Sequence, residues 1–115
     1  MNTKSLYETV TLRANCSHNT FITHLDLTVK SLISSHKPSY VVIGNYKYTK
    51  PQSINDDIPI FEDYFSAIVA NILYLLSGNI DFKSEFHMES DNAYKAVWSK
   101  KARGKKIRDR GYYNV

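Results

Sequence analysis

The chain has 115 residues, 43% of them apolar, and a net charge of +4. That length holds one domain around a single core, and that composition excludes the disordered and fibrous classes. The longest apolar stretch, Ile68 to Leu76, is interrupted by Asn71 and falls well short of the roughly 20 residues of a membrane span, so no membrane role is expected.

The opening MNTKSLYETV has no apolar run after its lysine, which predicts no secretory leader. A first helix is expected from Ser5, with Ser5 and Glu8 as a capping box and Leu6 and Val10 on one face. Asn15-Cys16-Ser17-His18-Asn19 reads as a polar break. A second helix follows from Thr20 to Ser34, capped by Asn19 or Thr20. Phe21, Leu25, Val29, Leu32 and Ile33 form its apolar stripe. Pro38 stops it.

Tyr40-Val41-Val42-Ile43 and Tyr46-Lys47-Tyr48-Thr49 flank Gly44-Asn45. Two β-branched and aromatic runs around such a pair predict a β-hairpin near 40–50, ended by Pro51. The polar stretch Gln52 to Asp57 is a loop. Ile58-Pro59-Ile60 then leads into a third helix, Phe61 to Ser77. Tyr64, Ile68, Ile72, Leu75 and Leu76 line one side of it, and Phe65, Val69 and Leu73 another. A helix apolar over most of its girth sits at the centre of a fold. Gly78 is placed to end it.

A fourth helix is expected from Phe82 to Ala102, with Phe82, Phe86, Ala93 and Val97 buried and Tyr94 and Trp98 beside them. Its acidic residues come early and its cations late, as the helix dipole favours. Gly104 and Gly111 loosen the chain beyond it. The fold class is therefore mainly α: a small bundle of about four helices over residues 1–103, with an inserted β-hairpin and an extended arm over residues 104–115.

The charge is concentrated in that arm and the turn before it. Lys100, Lys101, Arg103, Lys105, Lys106, Arg108 and Arg110 against Asp109 give +6 of a total of +4, which leaves residues 1–99 at −2. A localised cationic segment points to an anionic partner or an acidic groove. Tyr112, Tyr113 and Val115 add apolar anchors that phosphate contact alone does not need, so the layout favours docking into a protein.

Other constellations carry less. Cys16 is the lone cysteine, so no disulfide forms within the chain, which suits a reducing compartment. Cys16, His18 and His24 with Asp26 could be metal ligands, but no second ligand pair accompanies them, and His36 and His87 are distant in sequence. Surface or capping roles suit the histidines better. Asp56, Asp57, Glu62 and Asp63 could serve acid–base chemistry or bind a divalent cation, yet they also suit the start of a helix. No nucleophile elbow, phosphate loop or dinucleotide fingerprint is present, and no cofactor or enzyme activity is expected. Tyr40, Tyr46 and Tyr48 beside Lys47 and Lys50 fit a stacking platform for bases, or a strand and subunit interface.

The second half resembles the head-to-tail adaptor (connector or head-completion) proteins of tailed bacteriophages. The resemblance lies in Ile58-Pro59-Ile60-Phe61-Glu62-Asp63-Tyr64, the helix from Ala67 to Leu76, and Asp91-Asn92-Ala93-Tyr94-Lys95-Ala96-Val97. Ile22 to Pro38 is similar to the family's first core helix. The likeness extends over residues 5–103, with a departure where the N-terminal helix is split at Asn15 to Asn19. It implies a ring, typically of twelve copies, under the portal at the head–tail junction of a virion assembled in the host cytoplasm. The ring extends the DNA channel and offers tail or neck proteins a platform. It also implies that residues 100–115 form a portal-binding arm, with its cations near packaged double-stranded DNA. Tyr40, Tyr46, Tyr48, Tyr94 and Trp98 are then candidates for contacts between subunits or with partners. The main alternative is a small basic nucleic-acid-binding or regulatory protein; a small enzyme or enzyme subunit is a third reading.

Overall fold

The computed structural model describes the backbone of residues 1–110 and the side chains of residues 1–100. Helix α1 spans Thr3–Thr11, α2 His18–Ser35, α3 Tyr40–Ile43, α4 Phe65–Ser77 and α5 Ile80–Arg110, with a 3-10 turn at Glu62–Tyr64 just before α4. No helix among the described residues is long and apolar enough to cross a membrane.

The centre is α4, as its composition predicts. Ala67, Ile68, Val69, Ala70, Ile72 and Leu73 are all buried, and α1, α2 and α5 each pack on it. Leu6 and Val10 come in from α1; Phe21, Leu25, Val29 and Leu32 from α2; Phe86, Ala93 and Val97 from α5. Burying each such large aliphatic side chain stabilises the fold by about 1.5–3 kcal/mol. Asn71, the polar break in the apolar stretch, donates from Nδ2 to Thr28 Oγ1 at 2.7 Å and so ties α4 to α2. Gly78 closes α4 in the left-handed conformation, φ 73°, its N–H on the Tyr74 carbonyl at 2.7 Å.

Several expectations give way. The capping box at Ser5 and Glu8 is not formed. α1 begins two residues earlier because Asn2 Oδ1 accepts from the Ser5 N–H at 2.9 Å. Ser17, rather than Asn19 or Thr20, caps α2 through the Thr20 N–H. The lead-in Ile58-Pro59-Ile60 buries both isoleucines and exchanges two backbone hydrogen bonds between Met1 and Ile58.

The β-hairpin is absent, and no strand occurs among the described residues. Tyr40–Ile43 instead forms one helical turn, closed by Ile43 N–H to Ser39 O and Gly44 N–H to Tyr40 O. Two facts of packing explain the choice. Val41 and Val42 are both fully buried, and adjacent strand residues point to opposite faces. A two-stranded ribbon with no neighbouring strand is also marginal, whereas a helical turn satisfies its backbone locally. Gly44 then reverses the chain at φ 62°, ψ −140°.

The arm is not extended over residues 104–110: α5 continues through Gly104 to Arg110. One glycine costs a helix only about 1 kcal/mol, and lysine, arginine and alanine around it are good helix formers. The cations fall at the end of the helix where its dipole favours them. Gly111, Tyr112, Tyr113, Asn114 and Val115 lie outside the described residues.

Candidate interaction surface

Three of the five aromatic residues expected at contacts converge on one face. Tyr94 and Trp98 are one turn apart on α5, with ring planes within 3° and centroids 6.4 Å apart. Tyr40 joins them because α3 packs on α5: its ring lies 6.3 Å from Trp98 at 16°. The three rings form an offset, nearly parallel row. Tyr40 is 41% exposed and Trp98 43%, so the row is anchored on one side and open on the other.

The structure behind the row is specific. Tyr94 donates its hydroxyl to the Lys37 carbonyl at 2.9 Å, which fixes the ring against the end of α2. His36 lies 5.3 Å from Tyr94 and edge-on to Tyr64 at 6.2 Å. His36 Nε2 is 3.8 Å from an Asp91 carboxylate oxygen. Two residues beyond Trp98, Lys100 Nζ reaches Asp63 Oδ2 at 2.9 Å. Tyr64 is fully buried beneath, and its hydroxyl makes no hydrogen bond. Burial, then the neighbouring Tyr94 and Asp63, push its phenol well above the ordinary value.

Tyr48 has an internal role instead. Its hydroxyl donates to Asp26 Oδ1 at 2.6 Å, while Lys30 holds the other carboxylate oxygen at 2.9 Å. Burial pushes the Asp26 carboxyl up. The bonds from Tyr48 and Lys30, with the charges of Lys30 and Lys50, outweigh that and leave it below its usual value. Burial and Asp26 push the Tyr48 phenol up. This clasp pins the segment after Gly44 to α2. Tyr46, 73% exposed, stands apart from the row.

The other candidates disperse. Among the described residues, no group of three or more histidine, cysteine and acidic side chains could hold a metal ion. His18 packs edge-on to Tyr7 at 4.7 Å, and Tyr7 donates to the Cys16 carbonyl at 3.2 Å. Burial pushes the Cys16 thiol up, away from the reactive thiolate. Asp56 Oδ2 accepts from the Gln52 N–H at 2.8 Å and shapes the loop, while Asp63 pairs with Lys100. Of the cationic residues from 100 to 110, only Lys100 has a described side chain; Lys101, Arg103, Lys105, Lys106, Arg108 and Arg110 are described by backbone alone.

Sequence reasoning places Tyr94 and Trp98 beside the buried stripe of the last helix. It misses His36 and Asp63 as neighbours of the row. Their partners Asp91 and Lys100 are far along the chain, and no local pattern signals such pairs. No protein-family model, curated protein or solved structure matches this chain.

Proposed function

We propose that this chain is a virion structural protein of the head-to-tail adaptor kind, working by binding rather than catalysis. Copies form a ring, of twelve in the family it resembles, under a portal at the head–tail junction. The ring extends the DNA channel and gives tail or neck proteins their platform. The observation that supports this best is the course of α5. It is buried as far as Val97, shows the aromatic row at Trp98, and carries the cationic segment onward as a continuous helix to Arg110. A helical stem with aromatic anchors at its base is a docking element that needs no enlargement of the core. Aromatic residues and arginine are the groups that dominate protein interfaces.

Native mass, measured alone and after mixing with the portal ring of the same virion, tests the reading. The full chain is expected to join the portal as a closed ring. A variant lacking residues 104–115 is expected to keep its fold, since the buried residues of α5 end at Val97 among the described ones, and to lose docking. Undiminished docking of that variant overturns the arm model. The second reading, binding to nucleic acid, is supported by the +6 of residues 100–115. It predicts DNA or RNA binding by the isolated monomer that weakens steeply with salt.

A further inference from the structure

The two ends of α5 are complementary in charge, and they cannot meet within one molecule. Near its start, α5 carries Asp81, Glu85, Glu89 and Asp91 against Lys83; from Lys100 the same helix turns strongly positive. The acidic end borders a groove of about 120 Å³ between α1, α4 and α5. Its floor is apolar, formed by the buried Val69, Ala70 and Leu73. Exposed Arg13 and Glu85 stand at its rim. An enclosed cavity of roughly 150 Å³ holds one benzene ring, so this somewhat smaller groove, open to solvent, can seat one face of a single aromatic side chain. Tyr112 and Tyr113 follow directly on the basic end.

Reach decides where those tyrosines can go. Twenty-five helical residues separate Glu85 from Arg110, which is about 38 Å at 1.5 Å per residue. From Arg110 to Tyr113 the chain spans at most about 11 Å. A copy's own tyrosines therefore cannot fill its own groove.

We propose that the groove receives the Tyr112–Tyr113 segment of a second copy, with the basic end of one α5 lying along the acidic start of the next. The phenol ring fills the apolar floor, and its hydroxyl meets the Arg13 and Glu85 rim. The contact is head-to-tail, so repeating it gives a ring when the rotation closes. The inference deepens the ring reading above by naming the contact between neighbours. Its test needs no portal, so it can fail while portal docking stands.

Two variants of the full chain make the test. Y112A/Y113A keeps the groove and loses the ring that fills it. Ser66→Trp, at an exposed position lining the groove, plugs it and keeps the tyrosines. Light scattering at low salt is expected to show self-association of the parent chain up to roughly millimolar concentration. Each variant alone is expected to stay monomeric, and an equimolar mixture to form a species of twice the monomer mass. Salt is expected to weaken all association. Glu85→Lys reverses a charge at the exposed rim of the groove and keeps the test open should Ser66→Trp fail to fold; it is expected to weaken association about tenfold or more. A parent chain that remains monomeric overturns the proposal. So does a folded variant that associates as the parent does, or a mixture of folded variants that stays monomeric.

Discussion

Lys100 Nζ lies 2.9 Å from Asp63 Oδ2, joining the last described side chain of α5 to the 3-10 turn that opens α4. The pair spans thirty-seven positions in sequence and fastens α5 one turn after its last described buried residue, Val97. Lys100 is 64% exposed, so solvent screens the attraction and its stability contribution is at most about 1 kcal/mol. Lys100→Ala and Asp63→Ala are each expected to lower stability by no more than that. A double-mutant cycle by urea unfolding measures the coupling directly. The larger effect is expected in amide exchange at residues 98–102, where the loss of the tie frees the helix sooner.

The Asp26–Tyr48 clasp joins a buried carboxylate to a half-buried phenol, and its removal is more costly. Tyr48→Phe leaves one carboxylate oxygen of Asp26 without its donor and is expected to destabilise by about 1–3 kcal/mol. The Asp26 carboxyl is held below its unfolded value, so its stabilisation is full above about pH 4 and is lost as pH falls through the folded value. Asp26→Asn removes that acid dependence. Denaturant midpoints between pH 2 and 6 for the parent and Asp26→Asn, recorded side by side, check the sign.

The extent to which the sequence reveals this fold depends on the range of the forces involved. α4 and the buried stripe of α5 are legible because helical periodicity is local and their apolar residues are many. Gly78 is legible because one residue type suits its conformation. The segment at Tyr40 is not. Its composition favours strand, and only the burial of both Val41 and Val42, with α3 packed on α2 and α5, turns it into helix. The aromatic row depends on that same turn. Tyr94 and Trp98 can be paired from spacing, whereas Tyr40 reaches Trp98 only after α3 has docked. The clasp that claims Tyr48 is equally nonlocal, which is why the sequence alone presents Tyr48 as a surface contact.

Gly44 sits at φ 62°, ψ −140°, a region that residues with a Cβ rarely enter. An added Cβ would meet the Phe61 ring at 3.5 Å and the Tyr46 ring at 3.9 Å, both ordinary contacts, so the cost is in the backbone. Gly44→Ala is expected to lower stability by about 1–3 kcal/mol, read from the urea midpoint. Gly78→Ala, at φ 73° with nothing within 4 Å, is expected to cost about 1–2 kcal/mol.

Tyr64 offers an opposite case. Its hydroxyl is buried and makes no hydrogen bond, so it carries a desolvation cost with no return. Tyr64→Phe keeps the ring and removes that cost; it is expected to be neutral or to stabilise by up to about 1 kcal/mol. The folded phenol stays neutral when the unfolded one ionises near pH 10, so the parent chain loses stability as pH rises above that value. Tyr64→Phe is expected to lose less over the same range. Thermal melts at pH 7 and pH 10.5 settle both points.

Trp98 separates folding from docking. Its ring packs against Tyr40 and Tyr94, and each such pair adds about 0.5–1.5 kcal/mol, so Trp98→Ala is expected to cost about 1–3 kcal/mol of stability and to leave the fold intact. A partly open tryptophan in a supported row is also the kind of residue that dominates an interface, where truncation costs about 2 kcal/mol or more. The docking partner is therefore expected to bind Trp98→Ala roughly 30-fold more weakly, or worse, at a temperature well below its melt. Tyr46→Ala supplies the control. That residue is more exposed than Trp98 but stands outside the row, so its loss is expected to change stability by less than about 0.5 kcal/mol and binding hardly at all. Equal losses of binding in the two variants would show that exposure alone, rather than the supported row, sets the contact.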